Sequence, residues 1–232
     1  AKPLNPPNRT SLWVLRSYAM EAPERAGGAI WAQMGRGGMG MRPPQIPGTF
    51  APKVGEGAEY QITSKQGNMD MEYAVVGKET VDGQEGYWQE IRMKSGQGTG
   101  VIMKQLMVVG GSNPGIKRMI MQPPGQEPME MPMNMMGGMM QQHMQQQAAE
   151  RAAGSMGEKV GTETITVPAG TFECDHYRSK DNDGDVWISS KVYPYGLIKA
   201  VTKDTTFVLQ KTLTGQTSQI KGEPKKLEMP HF

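Results

Sequence analysis

The sequence predicts a mainly β (α+β) protein: an antiparallel sheet of about nine or ten strands, one helical methionine-rich insertion, and irregular terminal arms. Three observations carry this. Apolar and polar residues alternate with period two from Gly57 to about Gln122, and again from about Thr162 onward. Clusters of Gly, Pro, Asn and Asp separate these alternating runs at short intervals. The 30 glycines and 17 prolines are concentrated outside the runs, which marks long irregular extensions around an ordered core.

Residues 1–56 form an N-terminal arm with one periodic segment, "RTSLWVLRSYAMEAPERA". Leu12, Leu15 and Ala19 fall at helical spacing, Thr10 or Ser11 can cap it, and Pro23 ends it. "MGRGGMGMRPPQIPG" has no periodicity and is a loop or arm. The β domain spans 57–220. It opens with "AEYQITSK", where Tyr60 and Ile62 share a face. "NMDMEYAVVGKETVDGQEGYWQEIRMK" predicts two strands around a turn at Asp82-Gly83. Met69, Met71, Tyr73 and Val75 lie on one face of the first, and Trp88 is in step with Glu90 and Arg92 in the second. "SGQGTG" and "GGSNPG" then turn the chain into "VIMKQLMVV" and "IKRMIMQ", which completes a meander of about five strands.

"PPGQEP" ends the meander and opens an insertion at 122–158 that is half coil and half helix. Its helical half is "MMQQHMQQQAAERAAG", with Met140, Met144, Ala148 and Ala152 every fourth residue and Gly154 as a stop. Strands return with "TETITV" and "TFECDHYRSK", joined by "PAG". "DNDG" turns into "DVWISS", and "VYPYG" leads into "LIKAVTKDTTFVLQKTL". Ile198, Ala200 and Thr202 share one face, and Phe207 and Leu209 alternate in the next strand. Residues 221–232 are a polar tail.

Net charge is only +2 and both signs are interspersed, which gives no electrostatic footprint for nucleic acid. No apolar run approaches the ~18 residues of a membrane-spanning helix. A single cysteine, Cys174, excludes an internal disulfide. The start "AKPLNPP", without Met, is the kind of end left by signal-peptide removal, so the expected location is the periplasm or beyond.

Three stretches carry a resemblance: Val167-Pro168-Ala169-Gly170-Thr171-Phe172, Asp185-Val186-Trp187-Ile188-Ser189, and Pro194-Tyr195-Gly196-Leu197-Ile198-Lys199. Together they resemble the C-terminal half of bacterial exported proteins with the LolA/LppX-like half-barrel. The methionine-rich strands before them are similar to uncharacterised methionine-rich exported domains of that type. The resemblance covers 57–215 without the insertion. It implies a curved antiparallel half-barrel wrapped around a helix, with a concave apolar face, in relatives that carry lipid or lipoprotein acyl chains. This chain departs from that pattern by placing methionine where the meander would hold large aliphatic residues.

Thioether sulfur is soft and neutral, so methionine clusters suit Cu(I). Met129, Met131 and Met133 form an alternating ladder, and the pairs Met139/His143 and Met140/Met144 are four residues apart on a helix. These seven residues are the candidate metal ligands. The same residues also suit packing or a partner surface, because methionine is an adaptable filler. "DNDGD" from Asp181 to Asp185 has the look of a calcium loop, but Val186 and Val192 stand where an EF-hand needs Gly and Glu. Cys174 and His176 face the same side of a strand without an oxyanion turn or third group, which predicts a core cysteine rather than a nucleophile. His143 and His231 lie elsewhere in the chain.

No phosphate loop, dinucleotide fingerprint or serine elbow is present, so the expected function is not enzymatic. It is an exported binding protein for a hydrophobic ligand (lipid or acyl chain) or a protein partner. Two alternatives stand beside it: a periplasmic Cu(I)-binding protein, and an accessory structural subunit of a larger assembly held by its extended arms.

Overall fold

The computed structural model describes residues 50–65, 67–95, 98–108, 115–132, 157–178 and 184–226. All fall within one compact unit, Pro43–Phe232. Among these residues there are twelve strands and no helix. The first meander is β1 (Gly57–Ser64), β2 (Gly67–Val81), β3 (Gln84–Ser95), β4 (Gly98–Val108), β5 (Gly115–Gln122) and the short β6 (Met129–Glu130). The second is β7 (Glu158–Val167), β8 (Gly170–Arg178), β9 (Gly184–Ile188), β10 (Leu197–Thr202) and β11 (Thr205–Leu213), followed by β12 (Lys225–Lys226). They form a single open sheet in the order β12-β6-β5-β4-β3-β2-β1-β11-β10-β9-β8-β7. The two meanders therefore meet where β11 pairs with β1, with Tyr60 opposite Leu209 and Ile62 opposite Phe207.

Ten of these strands are five residues or longer, in agreement with the count expected from alternation. The hairpin at Asp82-Gly83 has the expected chemistry. Asp82 has φ 52° and Gly83 φ 74°, so both central residues are left-handed, as a two-residue type I′ turn requires. Gly57 is needed for a different reason: a Cβ there would lie 2.3 Å from the Tyr73 carbonyl oxygen, so no side chain fits between β1 and β2. Bulges near Tyr60, Gly77, Lys94, Met107, Gly161 and Lys199 add local bend and twist to the sheet.

Two expectations need correction. Met129 and Glu130 are not coil at the start of an insertion. They form β6, with Met129 opposite Met121 and Glu130 opposite Ile120, and the Met131 amide continues the ladder to the Met119 carbonyl at 2.9 Å. The alternation of "MEMPM" has the period of a strand, and the turn through Pro123 and Gly125 (φ 69°) brings it back beside β5. Nor is the tail after residue 220 wholly a free arm, since Lys225 and Lys226 pair in parallel with β6. The predicted helices of the arm and of the insertion lie outside the described residues.

The two faces of the first meander differ in composition. One carries Trp88, Leu106 and Ile120, with Val76, Val81 and Ile220 packed against them. It also carries a buried charge network. Arg92, 1% exposed, donates from Nε to Glu90 at 2.8 Å and from Nη1 to Glu72 at 3.0 Å. It reaches further, to Gln216 Oε1 at 2.9 Å and the Thr217 carbonyl at 3.1 Å. Glu90 accepts from the Ser218 hydroxyl at 2.7 Å and the Gln219 amide at 2.9 Å. These bonds hold the stretch after β11 across this face, where Ile220 completes the apolar cluster.

Removing one partner of such a network leaves a buried charge uncompensated. Glu90→Ala should lower unfolding stability by about 3–5 kcal/mol, read as a shift of the urea midpoint. Glu72 gives a pH signature. Burial opposes its ionisation, but hydrogen bonds from Lys94 and Arg92 outweigh that and hold the carboxyl below its ordinary 4.5. The folded state thus binds this proton more weakly than the unfolded chain. The stabilisation is complete above 4.5 and is lost as pH falls through the lower folded value. Glu72→Gln should melt below the parent at neutral pH, and the two melting temperatures should converge on the acid side of 4.5.

Candidate ligand-binding face

The opposite face of the same strands is built of methionine. Registers place Tyr60, Met71 and Met93 in one cross-strand row. A second row runs Tyr73, Ile91, Met103, Met121, Met129. A third runs Val75, Gln89, Gln105, Met119 and ends at Met131. With Met69 and Met107, all nine methionines among the described residues lie on this one side. Met71, Met119 and Met131 are buried, and the other six are half-buried. Ile102, Leu106, Val108 and Ile120 occupy the alternate positions of β4 and β5, on the other face. Sheets favour β-branched and aromatic residues. Among the described residues the methionine bias is therefore a property of one surface.

One end of this face is aromatic. Tyr73 meets Tyr60 edge-on at 6.1 Å and Tyr195 edge-on at 5.7 Å, and Tyr195 packs against Phe50 at 5.3 Å. Tyr195 is delivered by the turn between β9 and β10, which is closed by Ser189 N to Gly196 O and Gly196 N to Val192 O, both 2.8 Å. Gly196 has φ 72°, and a Cβ there would come within 2.9 Å of the Ser189 carbonyl oxygen, so the turn depends on glycine. The Tyr60 hydroxyl donates to the Leu197 carbonyl at 3.0 Å. Burial pushes the tyrosine hydroxyls up, Tyr195 to about 12, so they remain neutral donors. Beside this turn is a cleft of about 480 Å³ whose lining includes Tyr195, Lys191, Thr162 and Asp175.

Two glutamines sit between the aromatic and methionine zones. Gln89 Oε1 accepts from Gln105 Nε2 at 2.8 Å and from the Tyr195 hydroxyl at 2.9 Å. Gln89 is fully buried, and its Nε2 has no hydrogen-bond partner among the described residues. A buried amide donor left unpaired costs about 1–3 kcal/mol, so the position calls for an acceptor.

Of the metal ligands expected from sequence, Met129 is on β6, Met131 directly follows it, and both belong to this face. Met133, Met139, Met140, His143 and Met144 lie outside the described residues. The partners that sequence reasoning missed are Met103, Met119 and Met121. The signal was available, because "IKRMIMQ" and "MEMPM" share the same alternation and are separated by a short turn.

Cys174 is buried in β8, as expected for a core cysteine, and burial, followed by the charge of Glu163, pushes its thiol up to about 11. His176 shares its side of the strand but serves other partners. Its Nδ1 lies 2.9 Å from Glu163 and its Nε2 2.7 Å from Asp185, and its ring stacks on Trp187 at 4.5 Å. Trp187 Nε1 donates to the same Glu163 at 2.6 Å, and Arg178 to Asp185 at 2.9 Å. Asp185 thus joins β8 to β9, while Asp181 to Asp183 lie outside the described residues.

No family model matches the chain, and no curated protein matches it in sequence. Two solved structures show a distant likeness. One is a provisionally assigned lipoprotein from Parabacteroides distasonis ATCC 8503, at 15% identity and TM-score 0.34, covering 71% of this chain and 98% of that one. The other is a provisionally assigned exported protein with a YmcC-like fold from Bacteroides fragilis NCTC 9343, at 13% identity and TM-score 0.34, covering 71% and 99%. Likeness at that TM-score transfers neither fold nor activity.

A thiol raised to about 11 is almost entirely protonated at mildly alkaline pH. Alkylation of Cys174 by iodoacetamide should be about a hundredfold or more slower in the native protein than in the urea-unfolded chain, as read by mass spectrometry.

Proposed function

We propose that this chain is a non-enzymatic, exported binding protein whose methionine face takes an acyl chain and whose Gln89 donates to the ligand's carboxyl or carbonyl oxygen. The observation that carries this is the buried Gln89 Nε2, without a partner among the described residues, at the boundary between half-buried methionines and the Tyr73–Tyr195 wall. Methionine has three rotatable bonds and a polarizable sulfur, so a surface made of it can adjust to flexible apolar ligands. The aromatic wall gives the chain a rigid end stop. In this reading the sheet is the curved half-barrel that the LolA/LppX-like motifs imply, and export follows from the same resemblance. A buried, protonated Cys174 supplies no ready nucleophile, which favours binding over catalysis.

The test is titration calorimetry with a long-chain fatty acid and with the matching alkylammonium, which lacks an acceptor. The fatty acid should bind the parent protein. Gln89→Met should weaken it by about tenfold or more while leaving the alkylammonium unchanged. A thermal melt of the variant guards against loss of fold. Failure of the fatty acid to bind, or equal binding by a folded Gln89→Met protein, would turn the search toward a protein partner for this face.

A further inference from the structure

We propose a binding site for a soft monovalent metal ion, Cu(I) or Ag(I), formed by Met103, Met121 and Met129 at the β4–β5–β6 end of the methionine face. It goes beyond acyl binding and does not rest on it. Met103 stands opposite Met121 across β4 and β5, and Met121 stands opposite Met129 across β5 and β6. Directly opposed Cβ atoms on a sheet lie about 4.5–5.5 Å apart. An unbranched side chain with its sulfur two atoms beyond Cβ can bridge that gap from either side, so three neighbouring thioethers can turn onto one ion. Met119 and Met131 flank the row on the same face and form its buried backing.

Two further observations set this row apart from ordinary packing. Met103, Met121 and Met129 are half-buried, so the row is partly open to solvent. The buried apolar positions on the other face of the same strands are Ile102, Leu106 and Ile120, so these segments use aliphatic residues where only volume is needed. Thioethers are soft, neutral and carry no proton to be displaced, which selects Cu(I) and Ag(I) over Zn(II), Mg(II) or Ca(II). Binding involves coordination alone, with no change of oxidation state.

The whole chain, labelled with ¹³C at the methionine methyls, would be titrated with Ag(I), an air-stable counterpart of Cu(I), and followed by NMR. The methyl signals of Met103, Met121 and Met129 should move together and saturate at one equivalent. The triple variant Met103→Leu, Met121→Leu, Met129→Leu should bind Ag(I) about a hundredfold or more weakly, since even outer-shell partners of a metal are worth ten- to a hundredfold. A second variant, with Met133, Met139, Met140 and Met144 changed to Leu, should bind as the parent does. Absence of saturable binding, unchanged affinity in the first variant, or shifts confined to Met133–Met144 would overturn the proposal. Ag(I) binding is measured with no fatty acid present, so failure of one reading is separable from failure of the other.

Discussion

Arg92 sits in the middle of β3 with almost no contact with solvent, and a guanidinium cannot be left there without partners. Glu72 and Glu90 supply the countercharge, Lys94 takes the other Glu72 oxygen, and the remaining hydrogen-bonding capacity of Arg92 and Glu90 is met by the stretch after β11. The strand that carries the charge thereby requires a strap, and the strap brings Ile220 onto Trp88, Leu106 and Ile120. One face of the meander is closed by this requirement. The chain then reaches β12 beside β6, which sets the outer limit of the sheet. What is left uncommitted by the strap is the methionine side.

Much of this sheet can be read in the sequence because alternation and turn chemistry are local. Tyr60 with Ile62, Met69 through Val75, and Trp88 with Glu90 and Arg92 fall on the faces that period two assigns. Asp82-Gly83 makes its turn from two residues. The pairing of β1 with β11 is different in kind. It joins segments about 150 residues apart, and no turn in between specifies it. The strap is hidden for the same reason. "GQTSQIKGEP" has neither periodicity nor apolar density, and its order comes from Arg92 and Glu90, more than a hundred residues upstream.

The candidate site was legible in its residue type and not in its extent. Methionine enrichment pointed to Met129 and Met131, and their neighbours among the described residues are Met103, Met119 and Met121 on earlier strands. Abundant methionine in the meander looked like a general bias. Only the register shows that, among the described residues, it is confined to one side, with Ile102, Leu106, Val108 and Ile120 on the other. Gln89 gave no signal at all, since a glutamine in a strand is unremarkable until its neighbours are known to bury it.

The separation of residue types between the faces also decides how the molecule would age. A thioether takes up oxygen to become a sulfoxide, a polar and chiral group, whereas aliphatic side chains are inert to the same oxidants. Six of the nine methionines on that surface are partly open to solvent, and the apolar core under the strap contains none. Peroxide damage would therefore accumulate on the methionine side first, one residue at a time, while the core beneath the strap stayed chemically intact. Such a protein would lose the apolar character of that face well before it lost its structure, and methionine sulfoxide reductases could restore it without refolding.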